Sequence, residues 1–286
     1  MKRLSHIFKT PIFRSRLQPR EFSPGPLLNS IDKLEEERLP WYSEKNFFPV
    51  KIGDIYSSRY QVVGKLGYGG YSTVWLCRDL KKHSFVTLKL FEPNSSHAKR
   101  EIEAYEHLKR LKSKHTGTLF VRSILDKFQL SSLDNSTSHS YQCLIHPPLA
   151  MSLYELRRKT PEHSLPEDLL KPALIHLLLA LDFLHTEAHM IHTDIQEKNI
   201  MLSIEEESIL LDFENAEISS PSPRKQVQDR SIYLSRKLGI PKIHGRPVLA
   251  DFGEARFGSE CGMYKGDVQP FIYRAPEVVL RLPWND

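Results

Sequence analysis

Two residues in the second half of the chain have types and a spacing that could carry out proton and metal chemistry. Asp194 closes the triplet His-Thr-Asp at residues 192–194, and Asn199 comes five residues later. An aspartate at the end of a short strand can accept a proton from a hydroxyl nucleophile, and an asparagine at this offset can bind a divalent cation beside it. Asp and Asn also favour polar turns because of their backbone geometry, so the motif alone leaves both interpretations open.

A second carboxylate follows an apolar run near the end of the chain. Asp251 opens the triplet Asp-Phe-Gly directly after residues 247–250. A carboxylate placed after a buried strand is a good ligand for a hard cation. The triplet Asp-Phe-Glu at residues 212–214 also follows an apolar run, but it lacks the glycine. Asp251 is therefore the preferred candidate.

A glycine-rich segment in the first third could contact phosphate. Residues 67–72 read Gly-Tyr-Gly-Gly-Tyr-Ser between two strand-like runs. Glycines in a turn let backbone N–H groups approach phosphate oxygens closely, although many such matches are simple hairpins. The segment is not a Walker A loop, because no Gly-Lys-Ser/Thr follows it. A strand-like run follows where a Rossmann site has a helix.

A lysine and a glutamate further along can form an ion pair. Lys89 ends a strand-like run, and Glu101 lies on the predicted helix 96–112, where it shares one face with Tyr105. An acid on an otherwise apolar face indicates a cationic partner, and Lys89 is the expected one. Taken alone, Lys89 is more simply explained as a solvated lysine on a strand edge.

The elements that must position these residues follow from the hydropathy pattern. Short β-branched or aromatic runs predict strands, and a leucine stripe predicts the longest helix over residues 167–186. Strands come first and the long helix later, with a switch near residue 150. This order predicts an α+β protein of two subdomains with a cleft between them. The predicted strands are 61–63, 73–76, 85–88, 141–145, 200–202, 209–211 and 248–250.

Composition narrows the function classes. The 286 residues are 40% apolar and 26% charged, which is typical of a globular protein. Residues 1–20 carry six basic residues and no acid, so the remainder has 34 basic against 35 acidic residues. A nucleic-acid-binding domain would carry the basic excess on its folded body, so this charge distribution argues against that function class. Three widely spaced cysteines predict a reducing compartment. The apolar stretch 173–184 contains a histidine and an aspartate, so we expect no membrane span there.

The five motifs occur in the order of the protein-kinase signature set: glycine-rich loop, strand lysine, helix glutamate, catalytic loop and metal aspartate. Residues 55–286 resemble a eukaryotic-type protein kinase, and Ala-Pro-Glu at 275–277 looks like its peptide-binding segment. Finer details resemble the serine/arginine-rich protein-specific kinase family. They are the catalytic-loop sequence His-Thr-Asp-Ile, the glycine loop that runs into residues 72–75, and the long spacer before Asp251. Three segments are similar to its filamentous-fungal branch: 35–42, 146–149 and 267–270.

The resemblance implies a protein-kinase-like two-lobed fold. It predicts a basic disordered or targeting leader at 1–40, an N-lobe at 41–146, and a hinge with an incomplete helical C-lobe at 147–286. The implied activity is a serine/threonine protein kinase that uses ATP and Mg²⁺ on Arg/Ser-rich or other basic protein substrates and regulates mRNA splicing. We expect a monomer that binds neither nucleic acid nor membrane directly. The resemblance implies the nucleus and cytoplasm, and the acid-free leader leaves a mitochondrial transit peptide open.

The resemblance also assigns the site residues. Asp194 accepts the proton of the substrate hydroxyl, while Lys89 holds the α/β-phosphates and pairs with Glu101. Asn199 and Asp251 hold Mg²⁺. The hinge carbonyl of Pro147 and the N–H of Leu149 bond the adenine. The nucleotide is predicted to contact Leu66, Gly67, Tyr68, Gly69, Gly70, Tyr71, Ser72, Thr73, Val74, Lys89, Pro147 and Leu149.

Some residues depart from the family pattern. Ser72 replaces the third glycine of the loop, and Thr193 replaces the arginine that grips a phosphorylated activation loop in many kinases. Gln196 stands where a lysine usually contacts the transferred phosphate, and Lys198 lies nearby at a different offset. The chain ends nine residues after Glu277, so we expect a fragment whose leucine helix exposes apolar surface. A truncated pseudokinase or nucleotide-binding interaction module is the alternative function, and a small-molecule kinase is a weaker one.

Overall fold

The computed structural model of the chain describes residues 15–29, 31–131, 139–240, 245–258, 263–266 and 268–284. Strands dominate up to residue 146 and helices become frequent after it. The α+β class and the change of structure near residue 150 are as predicted. Part of the predicted polar loop at 131–140 and the first 14 residues lie outside the described residues.

An antiparallel sheet forms the first lobe. Its strands are β1 (Ile55–Tyr56), β2 (Tyr60–Tyr68), β3 (Ser72–Asp79), β4 (Ser84–Phe91), β5 (Asp126–Ser131) and β6 (Ser140–His146). Their order across the sheet is β1-β2-β3-β4-β6-β5. Lys89 on β4 faces Val74 on β3 and Leu144 on β6. Lys89 therefore lies on a central strand of this sheet, which rules out a solvated lysine on a strand edge.

One helix of the first lobe carries the predicted acid. Helix α1 (Ser96–Leu111) begins after Ser95, whose side chain accepts a hydrogen bond from the backbone N–H of Ala98. Glu101 and Tyr105 lie on its buried face, one turn apart. The helix ends one residue before the predicted boundary. The Glu101 side chain lies on the face that packs toward the sheet, where it contacts Lys89.

The second lobe contains helices and two small sheets. The helices are α2 (Leu153–Lys159), α3 (Glu167–Thr186), α4 (Ser208–Ser219) and α5 (Pro276–Val279). Strands β7 (Leu149–Ser152), β9 (Ile200–Ser203) and β12 (Pro247–Leu249) form one sheet in the order β12-β9-β7, and β8 (Met190–Ile191) pairs with β13 (Arg256–Phe257). Leu249 and Ile200 face each other in the antiparallel pair β12–β9. This register places Asn199 beside the residues that lead to Asp251.

The long helix α3 has the predicted bounds. Its buried residues include Ala180, Phe183 and Leu184, which belong to the largest apolar cluster. The opposite side is exposed, with Leu178 65% and Ile175 57% accessible, as expected from the leucine stripe. By length and composition this helix could cross a membrane, contrary to the expectation from its polar residues. Core helices of soluble proteins meet the same criterion.

The predicted strand at residues 209–211 is wrong, because these residues open helix α4. Ile209, Phe213 and Glu217 recur every four residues and are all buried, which is the helical and not the strand period. Helix α4 packs its apolar side on Val63 and other residues of the first-lobe sheet. A hairpin of β10 (Arg224–Val227) and β11 (Arg230–Tyr233) follows it. We call residues 204–246 the insert.

The described part of the predicted leader lies against the folded body. Leu17 donates its backbone N–H to Leu80 at 2.9 Å, and Gln61 exchanges hydrogen bonds with the backbone of Arg20. Leu34 and Glu36 are buried. A disordered leader therefore does not reach residue 40. The reason is chemical: Glu36 and Glu37 pair with lysines of the sheet and the insert, and Glu35 accepts a hydrogen bond from the Ser235 hydroxyl.

Candidate active site

The candidate residues meet in a cleft of about 420 Å³ between the two lobes. A smaller cavity of about 210 Å³ lies under the tip of the glycine-rich loop. The cleft is lined by ten predicted residues: Leu66, Gly67, Tyr68, Gly69, Ser72, Val74, Lys89, Leu149, Asn199 and Asp251. The cavity brings in four more: Gly70, Tyr71, Glu101 and Asp194.

Thr73 and Pro147 are the two predicted contact residues that line neither space. The Thr73 hydroxyl accepts a hydrogen bond from the indole N–H of Trp75 at 2.9 Å, and the Thr73 side chain is buried. Successive side chains of a strand point to opposite faces, so Ser72 and Val74 face the cleft while Thr73 turns away. The Thr73 side chain is therefore directed away from the cleft, and nucleotide contact by Thr73 stays a prediction.

The predicted ion pair forms at the back of the cleft. The ammonium of Lys89 lies 2.6 Å from Glu101 Oε2 and 3.1 Å from Asp251 Oδ1. Burial lowers the pKa of Lys89, but the charges of Asp251 and Glu101 outweigh burial and raise it above its ordinary value. Lys89 therefore stays protonated and is available to an anion. The structure thus brings together a strand lysine, a helix glutamate and a loop aspartate that are far apart in sequence.

Asp251 has the properties of a cation ligand. Its side chain is half exposed, and its backbone φ of 67° lies in the left-handed region, which is uncommon for a residue with a side chain. Burial raises the pKa of its carboxyl, but Lys89 more than offsets this and lowers the pKa to about 2. Asp251 is therefore ionised throughout the neutral range.

Asp194 is held by two amide side chains. Gln196 donates its Nε2 hydrogens to both carboxylate oxygens at 2.9 and 3.0 Å, and Asn199 donates to Oδ2 at 2.7 Å. Burial raises the pKa of Asp194, although these hydrogen bonds oppose the change. Asn199 Nδ2 also bonds the Asp194 carbonyl at 2.8 Å. Because both bonds use the amide nitrogen, the amide oxygen of Asn199 is directed away from Asp194.

Residues beside Asp194 tie its loop to the segment that carries Asp251. The hydroxyl of Thr193 donates to the carbonyl of Glu254 at 2.6 Å, and His192 Nε2 lies 3.1 Å from the carbonyl of Ala250. Burial lowers the pKa of His192 to about 4, so its ring is neutral and Nε2–H is the donor. Thr193, which stands where many kinases have arginine, thus makes a neutral link between the two loops.

Sequence reasoning missed several residues that line the cleft. Glu155 lies in the first turn of α2, beyond the hinge, and forms a 2.8 Å salt bridge with Lys237 of the insert. Leu238, the next residue of the insert, adds an apolar wall. The capping-box pattern Ser-x-x-Glu at 152–155 was a readable signal for Glu155. No local pattern could place the insert residues, because they reach the cleft only through tertiary packing.

The hinge carbonyl assigned to adenine already has one donor. Arg122 Nη2 lies 3.4 Å from the Pro147 oxygen. A carbonyl has two lone pairs, so it can still accept a second hydrogen bond. Arg122 also lines the cleft. His146, directly before the hinge, is buried, and its Nδ1 lies 2.8 Å from the carbonyl of Ser123.

The residues present fit the Mg²⁺ and ATP that the resemblance implies. Asp251 supplies an ionised carboxylate and Asn199 an amide oxygen, which are the ligand types that Mg²⁺ prefers. Lys89 supplies a buried cation for phosphate, and the glycine-rich loop forms the roof of the cleft. Apolar side chains that could contact a base line the same cleft: Leu66, Val74, Leu149, Ala150, Met201 and Ala250.

Comparisons with known proteins agree with this geometry. The family model "protein kinase domain" matches residues 60–236. Over 263 residues the chain is 44% identical to a serine/threonine protein kinase of Aspergillus fumigatus, which covers 91% of this chain and 62% of that protein. It is 32% identical to SRSF protein kinase 3 of Mus musculus over 181 residues, or 62% of this chain and 31% of that protein.

Two further matches point the same way. The serine/threonine-protein kinase SRPK of Physarum polycephalum is 30% identical over 291 residues, which cover 91% of this chain and 63% of that protein. A kinase domain solved by crystallography superposes with a TM-score of 0.59 at 23% identity, covering 85% of this chain and 64% of the other. That structural likeness shows the fold alone. The chain thus spans 31% to 64% of the length of these proteins.

Proposed function

Because this chain belongs to the protein kinase family, we propose that it transfers the γ-phosphate of ATP to serine or threonine hydroxyls of proteins. Relatives named SRSF protein kinase and SRPK confirm the resemblance to the serine/arginine-rich protein-specific kinases. The observation that carries the proposal is the meeting of Lys89, Asp194 and Asp251 around one cavity. Lys89 and Asp251, which are 162 residues apart in sequence, are in contact there at 3.1 Å.

Asp194 is the proposed base. Its carboxylate faces the cavity under the loop tip, where it can take the proton of a substrate hydroxyl as the oxygen bonds to phosphorus. Gln196 and Asn199 hold both carboxylate oxygens in place. Burial raises the pKa of Asp194 above its ordinary value of 3.8, which makes the ionised form a better proton acceptor.

Lys89, Asn199 and Asp251 are the proposed holders of the nucleotide and its cation. Bound Mg²⁺-ATP supplies the phosphoryl group and the positive charge that neutralises it. Asn199 and Asp251 contribute the oxygen ligands, and Lys89 contributes a fixed ammonium for the phosphates. Glu101 keeps that ammonium at the back of the cleft through their 2.6 Å contact.

We propose Arg/Ser-rich or other basic proteins as the substrates. The support is the names of the relatives, several of which are SRSF protein kinases. The same resemblance supports a role in the nucleus and cytoplasm. The basic residues of the first twenty positions keep a mitochondrial location as the alternative. A fluorescent fusion of the whole chain distinguishes the two, because a transit peptide would direct it to mitochondria.

Gln196 favours a second candidate, a nucleotide-binding pseudokinase. A neutral amide stands where a cation usually contacts the transferred phosphate, and here it is engaged with Asp194. Losing that cation removes stabilisation of developing negative charge. Lys198 lines the cleft, and its ammonium lies 5.3 Å from the centre of the Tyr154 ring. Turnover separates the two candidates, since both of them bind nucleotide.

Two charge-removing substitutions test the assigned roles. We expect Asp194→Asn to abolish phosphate transfer and to leave the Kd for Mg²⁺-ATP within about threefold, because Asp194 acts on the hydroxyl. Asp251→Asn should weaken Mg²⁺-ATP binding itself by tenfold or more, because it removes a charged ligand. Both quantities are measured on the same preparations, with Asp212→Asn on the exposed side of α4 as the control. Equal turnover in Asp194→Asn and wild type would refute the assignment.

A further inference from the structure

An aromatic residue from outside the matched kinase domain reaches the tip of the glycine-rich loop. Trp41 precedes residue 60, where the family match begins. Its indole N–H donates to the carbonyl of Gly70 at 3.0 Å. The Trp41 ring also stacks on Tyr71, with 6.2 Å between centroids and 23° between planes. A Cβ on Gly70 would lie 3.4 Å from the indole, so the ring covers the loop backbone closely.

Tyr71 also stacks on a second ring. His97, in the first turn of α1, lies 3.9 Å from Tyr71 between ring centroids, at 18°. His97 Nδ1 lies 2.7 Å from the Glu254 carboxylate. The backbone carbonyl of Glu254 accepts a hydrogen bond from the Thr193 hydroxyl. A continuous set of contacts therefore runs from Trp41 across the loop tip to the helix and to the loops that carry Asp251 and Asp194.

The segment that carries Trp41 is fixed on both sides. Before it, Glu36 pairs with the fully buried Lys65 of β2, and Glu37 pairs with Lys225 of the insert at 2.9 Å. After it, the guanidinium of Arg230 donates to the carbonyls of residues 44 and 47. Because the segment is already fixed, it loses little further conformational entropy when the Trp41 side chain contacts the loop. Trp41 therefore provides an anchor and not a loose contact.

A glycine-rich loop needs such an anchor. Glycine has more conformational freedom in the unrestrained state than any other residue, so ordering this turn costs entropy. Within the loop, Gly69 and Ser72 share a backbone hydrogen bond of 2.8 Å, which closes the turn but does not fix its height above the cleft. The height is set by what holds the tip from outside. Trp41 and His97 stack on Tyr71, and the backbone N–H of Glu92 donates to the carbonyl of Tyr71 at 2.9 Å.

We propose that Trp41 is a positioning residue that holds the tip of the glycine-rich loop over the phosphate end of the site. The cavity beneath the tip is bounded by Gly70 and Tyr71 above and by Asp194 and Asp251 below. Loss of Trp41 frees the tip to lift, which opens that cavity to water and weakens the grip of the loop on phosphate. Of the effects expected from this role, only the change in kinetics rests on the proposed function.

Hydrogen exchange tests the loop directly and needs no nucleotide. In the whole chain, Trp41→Ala should speed exchange of the backbone amides of residues 67–72 about tenfold, since one stack and one hydrogen bond are lost. Trp41→Phe keeps a ring but loses the N–H donor, and it should give a smaller increase. Ile31→Ala is the matched control, because Ile31 is a large apolar side chain in the same segment and is 84% exposed.

Kinetics give the second readout. We expect Trp41→Ala to raise the KM for ATP about tenfold with kcat changed less than threefold, because the loop grips phosphate in the ground state and the transition state alike. The thermal midpoint should stay within about 2 °C of wild type, since Trp41 is half exposed. Unchanged loop exchange in Trp41→Ala, or an equal change in Ile31→Ala, would overturn the inference. Faster loop exchange in a chain that shows no phosphate transfer would uphold the inference and count against the proposed function.

Discussion

One buried ion pair joins the insert to the first lobe. Glu214 on α4 is fully buried and receives two hydrogen bonds from the guanidinium of Arg78 on β3, at 2.7 and 2.5 Å. A second cation, Arg20, lies 3.4 Å from Glu214 with its side chain 44% exposed. The change Glu214→Gln keeps the shape of the side chain and removes its charge. It leaves the Arg78 guanidinium with one neutral acceptor in a mostly buried position.

The cost follows from the burial. The side chains of Arg78 and Glu214 are 14% and 0% exposed, so water does not screen the loss as it does for surface pairs. Breaking a buried pair by removing one partner costs about 3–5 kcal/mol, because the remaining charge is uncompensated. Glutamine still accepts one hydrogen bond, so we expect the lower end, about 3 kcal/mol. For a chain of this size that corresponds to a fall of about 6–12 °C in thermal midpoint.

Thermal unfolding of the whole chain measures the effect, with Asp212→Asn as the matched control. Asp212 lies two residues earlier on the same helix and is exposed, so its loss should change the midpoint by less than about 2 °C. If Glu214→Gln and Asp212→Asn unfold within 2 °C of each other, the pair does not anchor the insert and the reasoning is wrong.

Two further predictions concern packing and pH. Gly64→Ala should lower the free energy of unfolding by about 1–3 kcal/mol, because the new Cβ would lie 2.7 Å from the Phe213 ring. Thermal unfolding measures this change. Gly239→Ala is the control, because its Cβ would meet nothing within 4 Å. Burial lowers the pKa of His192 from 6.5 to about 4, so the unfolded chain binds a proton here more readily than the folded chain. The neutral ring therefore contributes its full stability above pH 6.5. This contribution, up to about 3 kcal/mol, is lost as the pH falls toward 4. Unfolding of wild type and His192→Phe between pH 7 and 4 should show a flatter profile for the variant, and parallel profiles would contradict the prediction.

Most of the central site could be predicted because each of its residues follows a local pattern. Glu101 stood out as an acid on an apolar helix face, and its partner Lys89 was the nearest lysine on a preceding strand. The long helix α3 was predicted with the observed bounds, since its leucine stripe keeps the helical period over twenty residues. The glycine after Asp251 separated that residue from the similar triplet at 212–214.

The insert and the first forty residues could not be predicted in the same way. The run 209–211 is too short for its period to be read, and only the buried residues further along reveal a helix. The partners of acidic residues 35–37 are Lys65, Lys225 and Ser235, which are 29 to 200 residues away in sequence. Trp41 and Lys237 reach the site through tertiary contacts with residues that are distant in sequence. Tertiary contacts of this kind leave no local sequence signal.

Phosphate transfer to a peptide is the most direct test of the central claim. Labelled ATP, Mg²⁺ and an Arg/Ser-repeat peptide are incubated with the wild-type chain and with Asp194→Asn, and the labelled residue is identified. The account predicts label on serine with the wild type, none above background with Asp194→Asn, and similar nucleotide binding by both. Binding of Mg²⁺-ATP without transfer by either chain would contradict it and leave the nucleotide-binding pseudokinase as the better description.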